Sequence, residues 1–419
     1  MQVFHIVTEN TFSEEVIMRS LHIKDILIQF EGNDLSKYGL FPLFAWYLMD
    51  YVELPQRFKS LTVKRKRNNL NPVKRRAPQF TESQLAIGIV SIILLGIKRL
   101  RKINRVLKTE SQVAQLIGLQ RFFDQATAHR FLNEFQLWHI RQLENVADEL
   151  AKTFGEAFRQ DIVVLDIDST THSLESRKRQ KAVVGYNKKN PGKPCYQWSV
   201  GFIRGEAVTH KLYAGNTTCK NHLKDTLEMV TEKIPQPVSI VRLDGGYLSA
   251  ELLDFIAEKN LSVIMGARYD WVMAQKPEID PQKWIRHDEK TQIYDLEMAK
   301  VTSTVDRQYR IILVIKEQEP FPGLRRKKAK KVHYAIVENL PLRLDPVALY
   351  QFYCGRQTIE NFFKEAKGPF NAGKMPSERF RACEAYLQFC IIAYNLFEWF
   401  KKNFSPRNGK AIRWRPFES

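Results

Sequence analysis

The run Asp161-Ile-Val-Val-Leu-Asp-Ile-Asp168 constrains the fold more than any other stretch of the chain. Its β-branched and aliphatic residues stay apolar almost to the end, so it reads as a buried strand. Residues 197–203 and 208–214 read as neighbouring strands about an Arg204-Gly205 turn. Residues 238–243 make another apolar strand, 249–258 a helix and 261–265 a strand. Strands alternating with helices require an α/β layer arrangement. The unit is expected to occupy 156–270 and to resume at 340–404, where the pattern returns to helix. Between them, 271–339 alternates short strands with polar turns and reads as an inserted β-rich unit with a basic loop at 325–331. Residues 405–419 read as a C-terminal tail.

The region 1–155 reads as α-rich, with an apolar-aromatic stretch at 38–52. Thr81 and Gln84 have capping-box spacing at the start of a helix reaching about residue 107. Helical stretches follow at 111–118 and 125–154, and the segment from Ser111 has the look of a helix-turn-helix opening. The run from Leu85 to Ile97 is too short to span a bilayer and reads as a buried helix. No secretory signal is expected at the N-terminus.

Charge narrows the partner. Sixty-five Lys and Arg against 46 Asp and Glu leave a net +19, which raises affinity for polyanions, nucleic acid foremost. A basic linker at 63–77 carries Lys64, Arg65, Lys66, Arg67, Lys74, Arg75 and Arg76. It reads either as a solvated linker or as an arm contacting DNA phosphates. Lys178, Arg179, Lys181, Lys188, Lys189 and Lys193 are candidates to line a DNA channel. Five cysteines without a C-x-x-C pair argue against a zinc ribbon or disulfide framework and fit a reducing cytoplasm.

Candidate chemistry sits at strand ends. Asp166 and Asp168 close the first strand, and Asp244 follows the 238–243 strand, with Gly245-Gly246 after it. An Asp past the C-terminal end of a strand projects into the crevice where ligands bind, although Asp also serves as a simple turn cap. Residues two apart share a strand face, so spacing does not separate Asp166 from Asp168. His172 reads as a polar surface residue. For Trp271 and Trp284 core packing is the first expectation, and stacking on a displaced base the second.

The most informative segment runs from Tyr353 to Lys367. At about 100° per residue, Tyr353, Arg356, Glu360 and Lys367 form one stripe with Lys364 at its margin. Ile359, Phe362, Phe363 and Ala366 are left for packing, and Glu365 points away. An exposed face with i,i+4 ion pairs would produce a similar pattern.

The spacing Tyr-x2-Arg-x3-Glu-x6-Lys resembles the signature of insertion-sequence DDE transposases with a Tyr-Arg-Glu-Lys motif. Tyr353, Arg356, Glu360 and Lys367 satisfy it. Asp168-Ser169-Thr170 matches the Asp-x-Thr context of the first carboxylate, and Asp244 the place of the second. The resemblance implies an RNase H-like mixed sheet with flanking helices, interrupted by the β-rich insertion and preceded by an α-rich DNA-binding region. It implies Asp168, Asp244 and Glu360 as catalytic and metal-binding residues, and Tyr353, Arg356 and Lys367 as DNA contacts; Lys364, at the margin of the same stripe, is a further DNA-contact candidate. Carboxylate ligands suit Mg²⁺, or Mn²⁺ as substitute, and a pair of ions would serve cleavage and joining. The expected reaction is cut-and-paste transposition on double-stranded DNA, at the element's terminal inverted repeats and in target DNA. It needs no nucleotide cofactor, since joining exchanges one phosphodiester for another. A homodimer on DNA, no membrane partner and a bacterial, nucleoid-associated cytoplasmic location are further expectations. The alternatives are an RNase H-like nuclease that cuts without joining, and a catalytically idle transposase-derived DNA-binding protein.

Overall fold

A computed structural model of the chain describes residues 4–7, 27–30, 38, 41–63, 79–304, 306–318 and 330–404. The basic linker residues Lys64, Arg65, Lys66, Arg67, Lys74, Arg75 and Arg76 lie outside the described residues, as do 325–329 of the basic loop and the 405–419 tail.

Two short strands, β1 (Phe4–Val7) and β2 (Leu27–Phe30), pair with each other. The remaining described strands form one ten-stranded mixed sheet. They are β3 (Val163–Ser173), β4 (Val183–Val184), β5 (Pro194–Ile203), β6 (Glu206–Ala214), β7 (Val238–Leu243), β8 (Val263–Ala267), β9 (Ile285–Arg286), β10 (Thr291–Lys300), β11 (Gln308–Gln318) and β12 (Lys330–Glu338). The order is β4-β5-β3-β7-β8-β12-β11-β10-β9, with β6 on β5. β3, β7 and β8 run parallel, and every other pairing is antiparallel. Helix Cys219–Lys233 connects β6 to β7, and helix Ala250–Glu258 connects β7 to β8. The described part of 271–339 holds strands β9 to β12, and they continue the same sheet because β12 pairs with β8.

β5 shows why this sheet is covered on both faces: all ten of its residues are buried. Side chains alternate across a strand. Trp198 and Phe202 therefore meet Phe362 of helix Gln357–Lys367, with ring centroids 5.7 and 5.4 Å apart. On the opposite face Ser199 and Gly201 are small, and a Cβ on Gly201 would stand 2.8 Å from Thr226 of helix Cys219–Lys233. That helix can lie close only because the strand offers no bulk there. β3 pairs with β5 so that Asp166, Asp168 and Thr170 stand opposite Phe202, Val200 and Trp198. These β3 residues thus share the face covered by helix Gln357–Lys367.

The α-rich N-terminal region packs into the same core as the sheet. Its anchor is helix Phe380–Phe404, which contacts helices Glu82–Leu94, Gln125–Asn133 and Leu137–Phe154 as well as β6. Buried Asn395 accepts a hydrogen bond from the Ala207 N–H (3.1 Å) and donates to its carbonyl (2.9 Å). Fully buried Glu206 accepts from the Glu156 N–H at 2.8 Å and from Lys402 at 3.3 Å.

Several local expectations change. The capping box at Thr81 and Gln84 forms, but its helix ends at Leu94, and Gly96 takes φ +70°. Residues 125–154 are two helices rather than one. The helix from Ser111 ends at Gln115, and 116–124 separates it from the next. That connector is longer than the three- or four-residue turn of a helix-turn-helix. His172 is buried, its ring tilted against Trp198 at 5.8 Å, because it falls on the covered face of β3. No described helix is long and apolar enough to cross a membrane.

Candidate active site

The parallel register of β3 and β7 creates the site. Ile167 pairs with Leu243, so Asp168 and Asp244 follow on adjacent strands, whose spacing is typically about 4.8 Å. Asp244 caps the turn Gly245–Tyr247 through the Gly246 N–H at 2.9 Å, as the turn-cap reading expects. Asp168 accepts from the Ser169 N–H at 2.7 Å. Burial, reinforced by the charge of Asp244, pushes the Asp168 carboxyl up to about 7. Two carboxylates facing each other in a partly dry site resist ionising together.

Asp166, on the same face, is occupied differently. It pairs in register with Arg242 of β7 and accepts two hydrogen bonds from that guanidinium, at 2.6 and 2.7 Å. Arg242 also donates to the Phe352 carbonyl at 2.7 Å, tying the end of helix Pro346–Cys354 to the sheet.

Residues 353–367 are not one continuous helix. Helix Pro346–Cys354 passes through Gly355 and Arg356 into helix Gln357–Lys367, with i→i+3 bonds such as Arg356 N–H to Tyr353 carbonyl at the junction. The stripe nevertheless converges. The Arg356 guanidinium donates to Asp168 at 3.1 Å and to Glu360. Against the lowering effect of burial, Asp168, Tyr353, Glu360 and Asp244 hold Arg356 above its ordinary range. A Cβ on Gly266 would stand 2.6 Å from the Tyr353 hydroxyl, so that ring lies against bare backbone of β8. Burial foremost raises the Tyr353 hydroxyl to about 12. Lys367 donates to the Thr170 hydroxyl at 2.5 Å and the Thr171 carbonyl at 2.9 Å, and burial and Lys189 lower it to about 8.

Ile359, Phe362, Phe363 and Ala366 are the buried face of helix Gln357–Lys367, as the periodicity indicates. Glu365 is exposed and its charge reaches Tyr394 and Glu398 of the last helix, away from Asp168. Lys364 is exposed one turn beyond Glu360.

Among the described residues no three His, Cys, Asp or Glu side chains gather closely enough to hold a metal ion. Asp168 and Asp244 adjoin, while Glu360 joins them through Arg356. Sequence reasoning passed over two residues here. Arg242 gave no signal beyond its place before Leu243-Asp244, and Cys219 begins the helix after β6 close enough to feel Asp244 and Asp168. Of the channel candidates, Lys188, Lys189 and Lys193 are exposed, whereas Arg179 donates to the Ser377 carbonyl at 2.5 Å. Trp284 packs on Tyr294 at 5.3 Å, whereas Trp271 is exposed, with Arg268 over its ring, rather than in the core.

No curated protein matches the chain. Among solved structures it is similar to the Mos1 transposase in its paired-end complex with the left transposon end. That match has 14% identity, covers 55% of this chain and 78% of that one, and has a TM-score of 0.19. It is also similar to the Drosophila P element transposase in its strand transfer complex. There the identity is 14%, over 51% of this chain and 43% of that one, with a TM-score of 0.24. The family model for the transposase DDE domain, group 1, matches residues 20–415, nearly the whole length, and the chain belongs to that family.

Proposed function

We propose that the chain is a cut-and-paste DNA transposase of the insertion-sequence type. In this reading Asp168, Asp244 and Glu360 are its catalytic carboxylates, and Tyr353, Arg356, Glu360 and Lys367 its Tyr-Arg-Glu-Lys set. One observation carries it: Arg356 bonds both Asp168 and Glu360, 188 and 4 residues away, beside Asp244 on the adjoining strand. An RNase H-like core is supported by the order β6-β5-β3-β7-β8, with antiparallel strands leading into parallel ones. Residues 271–339 would be its insertion and 1–155 its DNA-binding region.

The donor set fits a hard divalent cation: carboxylate oxygens, with Asp168 pushed up to about 7 by burial first and the Asp244 charge second, against the lowering effect of Arg356 and the Ser169 N–H. Asp168, Asp244 and Glu360 would hold Mg²⁺ or Mn²⁺, a pair of ions in the full reading, supplying Lewis-acid activation of the attacking oxygen and stabilisation of the leaving one. The chain's own groups bind and orient the DNA. Arg356 presents a planar fork suited to a phosphate, already charged and desolvated. Lys367 brings a second cation to the same face, and Lys364 a third nearer solvent. The substrate is double-stranded DNA, element ends first and target second, acted on by a homodimer in the bacterial cytoplasm without a nucleotide cofactor.

The test is cleavage and joining of DNA carrying the element's own end, in Mg²⁺ or Mn²⁺, by wild type and Glu360→Gln. Metal-dependent joining that the substitution abolishes is the expected result. Cleavage without joining by wild type would favour the nuclease, and full activity of Glu360→Gln would remove that residue from the site.

A further inference from the structure

The segment between β3 and β5 is built with more care than a solvent loop requires. Gly185 packs so closely on Gly215 that a Cβ would collide with the Gly215 carbonyl. Asn187 is buried and exchanges hydrogen bonds with Ser173, at 3.2 and 3.0 Å. Asn190 adds a bond to the same Ser173 hydroxyl at 3.0 Å. Between these anchors Thr171 donates to the Tyr186 carbonyl at 3.3 Å. Yet the Tyr186 side chain so carefully mounted is 74% exposed. Lys188 and Lys189 follow it in the same loop, both exposed. Thr171 also accepts from Lys367 through its carbonyl, so one residue links this loop to the site. Burial first, and the charge of Lys189 second, disfavour the charge of Lys367, so Lys189 lies within electrostatic reach of it. Two cations held together call for an anion between them, and a fixed bare aromatic beside them calls for a flat partner.

We propose that residues 185–190 form a nucleotide platform, in which Lys189 and Lys367 share a DNA phosphate and Tyr186 stacks on an unpaired base next to it. The inference rests on the proposed DNA-cutting function and adds a place for an unpaired base beside the site. A base inside a duplex has both faces stacked, whereas an unpaired base can swing out and offer a whole face to Tyr186.

Binding is read by fluorescence anisotropy in EDTA, where nothing is cut. The probes are a blunt duplex and the same duplex carrying a short oligo(dT) 3′ overhang. Wild type should prefer the overhang. Tyr186→Ala should weaken overhang binding by about fivefold or more and blunt binding by less than about twofold, while Tyr186→Phe behaves as wild type. Lys189→Ala should weaken both probes and lower the slope of log affinity against log salt by about one. Equal losses on both probes with Tyr186→Ala, no loss on either, or an unchanged salt slope with Lys189→Ala would overturn the platform. The assay involves no catalysis. Wild type that shows this pattern but never joins DNA removes the transposase reading alone, whereas normal joining with no overhang preference removes the platform alone.

Discussion

Replacing Asp168 by Asn should make the metal-free protein more stable while destroying its site. The Asp168 carboxyl rises from 3.8 to about 7 on folding, through burial and the charge of Asp244. At about 1.4 kcal/mol per pKa unit, ionised Asp168 costs the folded state about 4 kcal/mol. Below the unfolded value both states hold the proton and the cost vanishes. It grows as pH rises and is complete above about 7, so stability falls with pH across that window. Asn keeps the shape and the acceptor for the Ser169 N–H without the charge. For 419 residues at about 2.1 cal/mol/K each, 4 kcal/mol corresponds to about 5 °C in Tm. Thermal unfolding in EDTA should place Asp168→Asn above wild type by about that much at pH 8, and by less than half of it at pH 5. Added Mg²⁺ should raise wild type and leave the variant unmoved. An advantage equal at both pH values, or a variant less stable at pH 8, would refute the electrostatic account.

Arg242→Met leaves Asp166 buried without its partner and should cost about 3–5 kcal/mol in urea unfolding, most of it recovered when Asp166→Leu is added. Lys367 loses its charge as pH rises through about 8. DNA affinity in EDTA should therefore fall between about pH 7 and pH 9, and Lys367→Arg should flatten the profile. Gly266→Ala would place a Cβ 2.6 Å from the Tyr353 hydroxyl and 2.9 Å from the Gly245 nitrogen. It should cost about 1–3 kcal/mol and depress DNA joining more than DNA binding, measured side by side.

What the sequence made legible followed from short-range periodicity. The 238–243 strand, the capping box at Thr81 and the buried face of helix Gln357–Lys367 each depend on residues within a turn or two. The breaks did not show. The Gly355-Arg356 junction keeps helical backbone angles while changing its hydrogen-bond pattern, and the lone glycine is its only local sign. Asp166 and Asp168 are equivalent to any local rule. What distinguishes them is Arg242, 76 residues from Asp166 and opposite it only once β3 and β7 have paired. His172 looked polar enough for the surface, but its strand face is covered by a helix almost 200 residues later. Likewise, no pattern in 271–339 says that its strands join the existing sheet, because the pairing of β12 with β8 is a tertiary fact.

Two kinds of positioning meet at Asp168. Asp168 and Asp244 are fixed by backbone register, and a slip of one residue would turn every side chain of β3 to the other face. Such a change is all or none, so strand substitutions should act on folding. Glu360 is fixed instead by anchors at both ends of its surroundings: Arg242 on the Phe352 carbonyl, and Lys367 on Thr170 and Thr171. Between them Phe362 packs on Trp198 and Phe202. Each polar anchor is worth only a few kcal/mol, so weakening one should move Glu360 without unfolding the sheet. Arg356, bonded to Asp168 on one side and Glu360 on the other, is where the rigid half of the site meets the adjustable half. A phosphate arriving at its guanidinium competes with both carboxylates at once. In the proposed function, the contact that would orient the DNA therefore bears on how Glu360 stands relative to the strand pair.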